Sequence, residues 1–255
     1  MDVKIENIDN LNLAETLDCG QAFRWREVEN GAWYGIAYGK ELKVSISGTT
    51  LTLHNTSEED YKNIWQSYFD LTRDYKQIEA LMNQNKTLAN MYKVCCGVRV
   101  LNQEPFETLI SFIISQNNNI ARIKGIIERL AQCYGEKLEN GYAFPKPEVL
   151  ASLTVEDLSP IRCGFRAKYI IDAAKKVSSG EIDLEALRNL DIDTARNTLT
   201  TIYGVGEKVA DCTLLFGLSH INAFPKDVWI KRAMEALFPQ GLPDEAKPYA
   251  GIVQQ

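Results

Sequence analysis

The sequence predicts an α+β fold in which an N-terminal antiparallel β-sheet domain is followed by an all-helical region. Residues 3 to about 55 show the period-two alternation of short strands, and the chain beyond residue 57 shows helical spacing of apolar residues almost throughout. Runs of strands followed by runs of helices are typical of this fold class. We expect residues 1–95 to form the sheet domain with trailing helices, and residues 96–255 to form a helical helix-hairpin-helix region.

Five short segments account for the predicted sheet. They read VKIEN, AFRWREVE, WYGIAYG, LKVSIS and TLTLH. Three of the breaks between them carry the turn pairs Asn30-Gly31, Gly39-Lys40 and Gly48-Thr49. Such pairs between alternating segments indicate antiparallel hairpins.

Helices are predicted from Ser57 onward, because this residue precedes three acidic residues as a helix N-cap would. Further helices are predicted near residues 74–83, 86–96, 105–115, 120–134, 147–152, 155–162, 166–178, 183–189, 194–202, 207–218, 227–238 and 244–255.

Composition is ordinary for a globular protein, with 45% hydrophobic and 24% charged residues. The net charge of −6 argues against a protein that coats nucleic acid by bulk electrostatics, although local donors can still hold a duplex. The six cysteines show no CxxC or zinc spacing, which predicts reduced thiols in a cytosolic protein. The charged N-terminus is unlike a signal peptide, and no apolar run is long enough for a membrane span.

The segment Thr200 to Asp211, TTIYGVGEKVAD, predicts two helices joined by a tight turn at Gly204 and Gly206. Such a turn leaves backbone N–H groups unpaired at the start of the second helix, where they can bind a phosphate. We expect the amides of Gly204, Gly206 and Val209 to do so. Lys208 and Cys212 are four residues apart, so they share one helix face.

Lys208 has two interpretations. A lysine at such a helix start is either a solvated phosphate contact or a nucleophile, and the sequence does not decide between them. Asp227, in the segment FPKDVW, is an expected N-cap of the next helix. Its carboxylate could also stabilise positive charge that develops on a sugar ring.

The segments GVGEKVADC and FPKD resemble the helix-hairpin-helix and Gly/Pro-Asp signature of DNA base-excision glycosylases, in particular 8-oxoguanine DNA glycosylases. The resemblance implies that Lys208 attacks C1′ of the damaged nucleoside and that Cys212 stacks on the extruded base. The segment CGQAFRW is also similar to this family. Taken alone, Gly20 would indicate an ordinary turn. The resemblance implies instead that the Gly20 carbonyl accepts the N7 hydrogen of the oxidised base.

The second-longest match is FETLISFIISQNNNIAR, in which Leu109, Phe112 and Ile113 form a stripe that we interpret as core only. The asparagines at 117–119 either cap the next helix or, as the resemblance implies, enter the minor groove. Asn117 would then fill the gap left by the extruded base, and Arg122 would read the orphaned cytosine.

Further site residues follow from the same resemblance. Phe165 would be a wedge between base pairs and Arg166 a second cytosine reader, although eukaryotic members often have Tyr at the wedge. Trp229 stands where those members have a phosphate-binding His, which leaves that contact open. Gln254 would hydrogen-bond the base edge. The family's stacking aromatic would fall beyond Gln255, so the helical region is expected to be C-terminally incomplete.

The resemblance implies a bifunctional glycosylase and lyase that acts as a monomer on double-stranded DNA containing oxidised guanine, with no membrane association and no metal or organic cofactor. The expected location is cytoplasmic, at the nucleoid in a bacterium, or nuclear in a eukaryote. One alternative is an endonuclease III-like pyrimidine glycosylase. Members of that branch typically bind an iron-sulfur cluster through four cysteines near the C-terminus, and the absence of such a quartet here disfavours this alternative. Another is a non-catalytic DNA-binding hairpin, which would tolerate substitution of Lys208 and Asp227.

Overall fold

A computed structural model describes residues 1–255 and begins with a five-stranded antiparallel sheet. The strands are β1 Val3–Ile5, β2 Trp25–Glu29, β3 Ala32–Ala37, β4 Lys40–Ser47 and β5 Thr50–His54. Their order across the sheet is β1-β5-β4-β3-β2. Strands β2 to β5 form consecutive hairpins, and β1 closes the edge by pairing with β5. The predicted antiparallel sheet is therefore confirmed.

One face of the sheet is buried because alternate residues of β4 and β5 are apolar. Val44 lies opposite Leu53 in the β4–β5 register, and both side chains are fully buried. They pack in one core with Trp25 and Trp65, the latter from the helical stretch over 58–68. The Trp25 indole N–H donates to the Tyr68 hydroxyl at 2.7 Å, so the polar atom of a buried ring is also satisfied.

A helix missing from the sequence prediction, α1 Leu13–Asp18, lies between β1 and β2. Asn12 caps it by accepting the Glu15 amide hydrogen. Gly20 therefore lies between a helix and a strand, α1 and β2. Six residues are fewer than two helical turns, which is too short for a clear period of 3.6 residues.

Helices make up the rest of the chain. They are α2 Tyr75–Met82, α3 Lys86–Val94, α4 Pro105–Ser115, α5 Ile120–Tyr134, α6 Pro147–Ala151, α7 Ala167–Ser178, α8 Leu184–Leu187, α9 Ile192–Thr200, α10 Glu207–Gly217, α11 Val228–Leu237 and α12 Ala250–Gln254. None of these helices is long and apolar enough to cross a bilayer.

Two predicted helices are shorter than expected. Only the 3-10 turn Ser159–Ile161 forms within 155–162. The predicted 244–255 helix begins as a 3-10 helix, Asp244–Tyr249, and becomes α-helical only at α12. Pro248 lies at this change, and it has no N–H group to continue an α-helical ladder.

The side chains form two cores. The smaller contains the sheet residues together with α1 and the 58–68 stretch, and the larger contains most of the helices from α2 onward. Ile78, Met82 and Leu88 belong to the larger core, so α2 and α3 pack with the helical region. We therefore propose a division between Leu71 and Tyr75, earlier than the predicted one after residue 95.

Candidate nucleic-acid interface and active site

The hairpin between α9 and α10 requires glycine at one of its two glycine positions. Gly204 has φ +81, and a Cβ added there would lie 2.4 Å from the ring carbons of Tyr169. Gly206 has φ −101, and an added Cβ would meet nothing within 4 Å. The backbone at Gly206 is therefore open to solvent and accessible to a close ligand.

The start of α10 presents unpaired amides. The N–H groups of Gly204, Gly206 and Val209 donate to no acceptor in the protein, and no side chain caps the helix. Together with the positive end of the helix dipole, these donors form a site suited to an anion such as a phosphate.

Lys208 lies in the first turn of α10, half-buried and next to α4. Its Nζ is 3.4 Å from Ser115 Oγ and 5.1 Å from the centroid of the Phe112 ring. Cys212 follows one turn later and is 3% exposed. Burial raises the pKa of the Cys212 thiol to about 12, against the smaller opposing effect of the Lys208 charge. An amine and a neutral thiol therefore share one wall, as the sequence predicts.

Asp227 begins α11 as predicted. Its Oδ1 accepts the Ile230 amide hydrogen at 2.8 Å, while Oδ2 accepts no hydrogen bond and the residue is exposed. The negative charges of Asp211 and, to a smaller extent, Asp227 also contribute to the raised pKa of Cys212, behind burial. Lys208 and Asp227 thus lie at the starts of two different helices, α10 and α11.

The segment that contains Gly20 meets the C-terminal helix. Gly20 has φ +93, which favours glycine at this position. The Cys19 thiol donates to Gln255 Oε1 at 3.3 Å, which joins this segment to the end of the chain. Gln254, the preceding residue, has a buried Oε1 without a hydrogen-bond partner. A ligand donor would satisfy this oxygen.

Gln21 is a structural residue that the sequence analysis does not identify. Its Nε2 donates to the carbonyls of Thr16 and Arg99, each at 2.8 Å, and its Oε1 accepts the Leu101 amide hydrogen at 2.9 Å. A buried amide with all three bonds fixes the backbone next to Gly20. No local pattern could have revealed it, because its partners lie up to 80 residues away.

The asparagine turn connects α4 to α5. Asn117 has φ +51 and an exposed side chain, and Asn119 caps α5 by accepting the Arg122 amide hydrogen at 3.0 Å. Asn therefore suits both positions, since it tolerates left-handed backbone and caps helices well. The Arg122 side chain is exposed and makes no hydrogen bond within the protein.

Phe165 and Arg166 lie in the 3-10 turn before α7, close to the asparagine turn. The Phe165 side chain is 52% exposed and lies 4.4 Å from the Arg166 guanidinium carbon, measured to the ring centroid. Arg166 is only 2% exposed, and it donates to the carbonyls of Gln116, Asn117 and Cys163. Both residues therefore lie at the asparagine turn. The Arg166 guanidinium supports the backbone of that turn, whereas the sequence analysis expects it to bind cytosine.

The prediction that Phe112 belongs to the core is confirmed, but its ring makes a further contact that the sequence does not show. Phe112 is buried, yet its ring also faces the Lys208 amine, and Ser115 adds a polar contact from the next turn of α4. The helical stripe in the sequence reveals the burial of Phe112. It does not reveal which residue from another helix meets the ring.

Comparison with known proteins finds two matching families along the chain. Residues 4–109 match the 8-oxoguanine DNA glycosylase N-terminal domain, and residues 110–247 match the HhH-GPD superfamily base excision DNA repair protein. The N-glycosylase/DNA lyase of Saccharomyces cerevisiae is 31% identical, over 89% of this chain and 68% of its own length. The probable N-glycosylase/DNA lyase of Methanothermobacter thermautotrophicus is 30% identical, over 91% and 84% respectively.

A solved structure has the same architecture. It is the Clostridium acetobutylicum 8-oxoguanine glycosylase/lyase in complex with double-stranded DNA containing cytosine opposite 8-oxoguanine. It superposes with a TM-score of 0.93 at 38% identity, covering 99% of this chain and 92% of its own.

Proposed function

Because the chain belongs to the 8-oxoguanine DNA glycosylases of the HhH-GPD superfamily, we propose that it excises 8-oxoguanine from opposite cytosine through a Schiff base on Lys208. It is a DNA glycosylase and lyase of base-excision repair. The observation that carries the proposal is the half-buried Lys208 amine, which lies at the start of α10 beside the Cys212 thiol. A lysine that only contacted phosphate would be expected to extend into solvent.

Double-stranded DNA is the proposed partner, bound by one copy of the protein. The open amides of Gly204, Gly206 and Val209 would hold a backbone phosphate near the lesion. Phosphate contacts of this kind position the duplex without reading its sequence. We propose that the protein acts as a monomer, in the compartment that holds DNA.

Excision requires the damaged nucleotide to leave the stack, because no side chain reaches C1′ inside a duplex. Asn117 would occupy the vacated space, and Phe165 would wedge between neighbouring base pairs. Arg122, whose side chain has no partner within the protein, would bind the orphaned cytosine, while the buried Arg166 would hold the turn that contains Asn117.

The extruded base would be bound by the Gly20 segment and by the Lys208–Cys212 pair. The Gly20 carbonyl would accept the N7 hydrogen that 8-oxoguanine has and guanine lacks. The unpaired Oε1 of Gln254 would accept a second hydrogen from the base edge. The neutral Cys212 thiol would pack against the face of the base.

Chemistry would begin when the electron pair of Lys208 Nζ forms a bond to C1′. The bond from C1′ to the base breaks, and its electron pair leaves with the base, which takes up a proton. Ring opening then gives the iminium as the C1′–O4′ bond breaks and O4′ gains a proton. Loss of a C2′ proton forms the C2′–C3′ double bond and expels the 3′ phosphate.

The free carboxylate oxygen of Asp227 would stabilise positive charge on the sugar as the base departs. The capping oxygen holds the carboxylate at the helix start. One side chain can therefore fill both roles that the sequence suggests.

Borohydride trapping on a duplex with one 8-oxoguanine opposite cytosine tests the proposal. Reduction should join the native protein covalently to DNA, and Lys208→Gln should give no adduct. Lys231→Gln, an exposed lysine of α11, is the charge-matched control and should trap normally. An adduct with the Lys208→Gln protein would refute Lys208 as the nucleophile.

A further inference from the structure

The Lys208 amine lies against an aromatic stack formed by Phe23, Phe112 and Phe216. Phe112 stacks on Phe216 with 5.4 Å between ring centroids and 18° between ring planes. Phe23 meets Phe112 edge-on at 5.7 Å, and all three side chains are buried. The orientation of the Phe112 ring is therefore fixed from two sides.

The contact with Phe112 has the geometry of a cation–π interaction. Lys208 Nζ is 5.1 Å from the ring centroid, within the range of about 6 Å over which a ring attracts a cation. Ser115 Oγ lies 3.4 Å from Nζ, and its hydroxyl donates to the Phe112 carbonyl at 2.8 Å. Because that hydrogen is already engaged, the Ser115 oxygen presents lone pairs to the amine.

We propose that the Phe112 ring stabilises the positive charge that develops on Lys208 Nζ as it attacks C1′, and that Ser115 is a positioning residue for the same nitrogen. The proposal rests on the proposed function of Lys208. As the nitrogen electron pair forms the bond to C1′, the bond to the base breaks and its electron pair leaves with the base. The nitrogen gains positive charge in this step, so an electron-rich ring stabilises the transition state more than the free amine.

The stack also joins recognition to chemistry. Phe23 belongs to the CGQAFRW segment and is three residues from Gly20, the proposed reader of the oxidised base. Phe23 contacts the Phe112 ring, which contacts Lys208. The segment proposed to contact the base therefore also packs against the ring beneath the nucleophile.

Fluorinated phenylalanines test the role of the ring. Replacing Phe112 with mono-, di- and trifluorophenylalanine keeps the shape of the ring and weakens the negative charge of its face step by step. The single-turnover rate of excision should fall with each added fluorine, by about three- to tenfold in total with the third. The Kd for a lesion-containing duplex should not change.

Phe106 provides the matched control, because it is a buried phenylalanine of the same helix that contacts Phe144 and not Lys208. The same series at Phe106 should leave the excision rate unchanged. Equal slowing at both positions, or no slowing at Phe112, would overturn the inference. If Lys208→Gln abolishes trapping while fluorination has no effect, the inference fails and the proposed function stands. If the Lys208→Gln protein still forms a covalent adduct with DNA, the proposed function of Lys208 is itself refuted.

The role of Ser115 is tested with two variants. Ser115→Ala should lower the single-turnover rate about threefold or more without changing the Kd for the duplex, because it removes one neutral hydrogen bond to the amine. Ser115→Thr, which retains the hydroxyl, should recover most of the rate. An unchanged rate in Ser115→Ala would refute the positioning role.

Discussion

Arg166 donates from its guanidinium to the main-chain carbonyl of Asn117 at 3.0 Å. A second bond reaches the carbonyl of Gln116 at 2.9 Å, and a third reaches Cys163 at 3.2 Å. Burial and, to a smaller extent, the nearby Arg122 charge lower the pKa of Arg166. Two arginines therefore approach the asparagine turn in different ways. Arg166 supports it from inside, and Arg122 extends into solvent.

Arg166→Ala should lower the free energy of unfolding by about 2 to 3 kcal/mol, because it leaves the carbonyls of Gln116, Asn117 and Cys163 without their charged donor. Urea denaturation measures this change. Arg122→Ala, which removes an exposed arginine near the same turn, is the control and should have almost no effect on stability. Equal stability of the native and Arg166→Ala proteins would contradict the supporting role and favour a purely DNA-facing one.

Arg122→Ala should weaken the preference for cytosine opposite the lesion by about 1 to 3 kcal/mol, since a bidentate arginine contact discriminates to that extent. The measurement is the ratio of single-turnover rates on 8-oxoguanine paired with each of the four bases. Lys124→Ala removes one positive charge from the same helix, where Lys124 pairs with Asp18. It should reduce affinity uniformly and leave the ratio intact. A ratio that changes equally in both variants would reduce Arg122 to a general phosphate contact.

Asp227→Asn should keep the helix cap and lose most of the excision rate. Asn retains an oxygen that accepts the Ile230 amide hydrogen, but it carries no charge to stabilise the transition state. We expect a loss of about 100-fold or more in the single-turnover rate, with lesion affinity and melting temperature nearly unchanged. Asp191→Asn, at the exposed cap of α9, is the control and should affect neither rate nor stability. Full activity in Asp227→Asn would leave Asp227 as a cap only.

The two hairpin glycines should respond differently to alanine. Gly204→Ala should destabilise the fold by about 2 kcal/mol or more, because the new Cβ meets the Tyr169 ring and the backbone is left-handed. Gly206→Ala should leave the melting temperature unchanged and weaken binding of damaged and undamaged duplexes alike, since its Cβ would stand beside the open amides. Thermal melts and fluorescence anisotropy separate the two effects. Normal DNA affinity in Gly206→Ala would argue against a phosphate at this turn.

Glu107 should make stability depend on pH. Burial raises the pKa of Glu107 to about 7, although the Arg24 guanidinium acts in the opposite direction. The folded state therefore holds a proton that the unfolded state releases near pH 4.5. Stability from this group is complete at lower pH and is lost as pH rises to about 7, by roughly 2 to 3 kcal/mol. Glu107→Gln should flatten this part of the stability curve.

Exposed Glu139 serves as the comparison for that measurement, and Glu139→Gln should retain the native pH dependence. The free energy of unfolding would be determined at several values between about pH 4 and about pH 8, a range that includes both 4.5 and about 7. A stability curve for Glu107→Gln that parallels the native one would show that the buried carboxyl does not control it.

Local patterns in the sequence were sufficient for the sheet, for most helices and for the two glycines of the hairpin. Alternation in the strands determines which face is buried, and turn pairs determine where the chain reverses. The bounds of α4 and α5 agree with the prediction because each begins at a strong cap and follows a clear apolar stripe. The motifs likewise indicated Lys208, Asp227 and Gly20, since each belongs to a short contiguous segment.

Only the tertiary structure decided what these residues touch. The ring beneath Lys208 comes from a helix about 100 residues earlier in the chain, and Gln21 bonds to a segment 78 to 80 residues later. Arg166 bonds to carbonyls about 50 residues away and so faces the asparagine turn. The spacing of apolar residues along the chain indicates whether a side chain is buried. The identity of the residue it contacts depends on how separate helices pack. That packing is set by the whole core, to which every helix contributes.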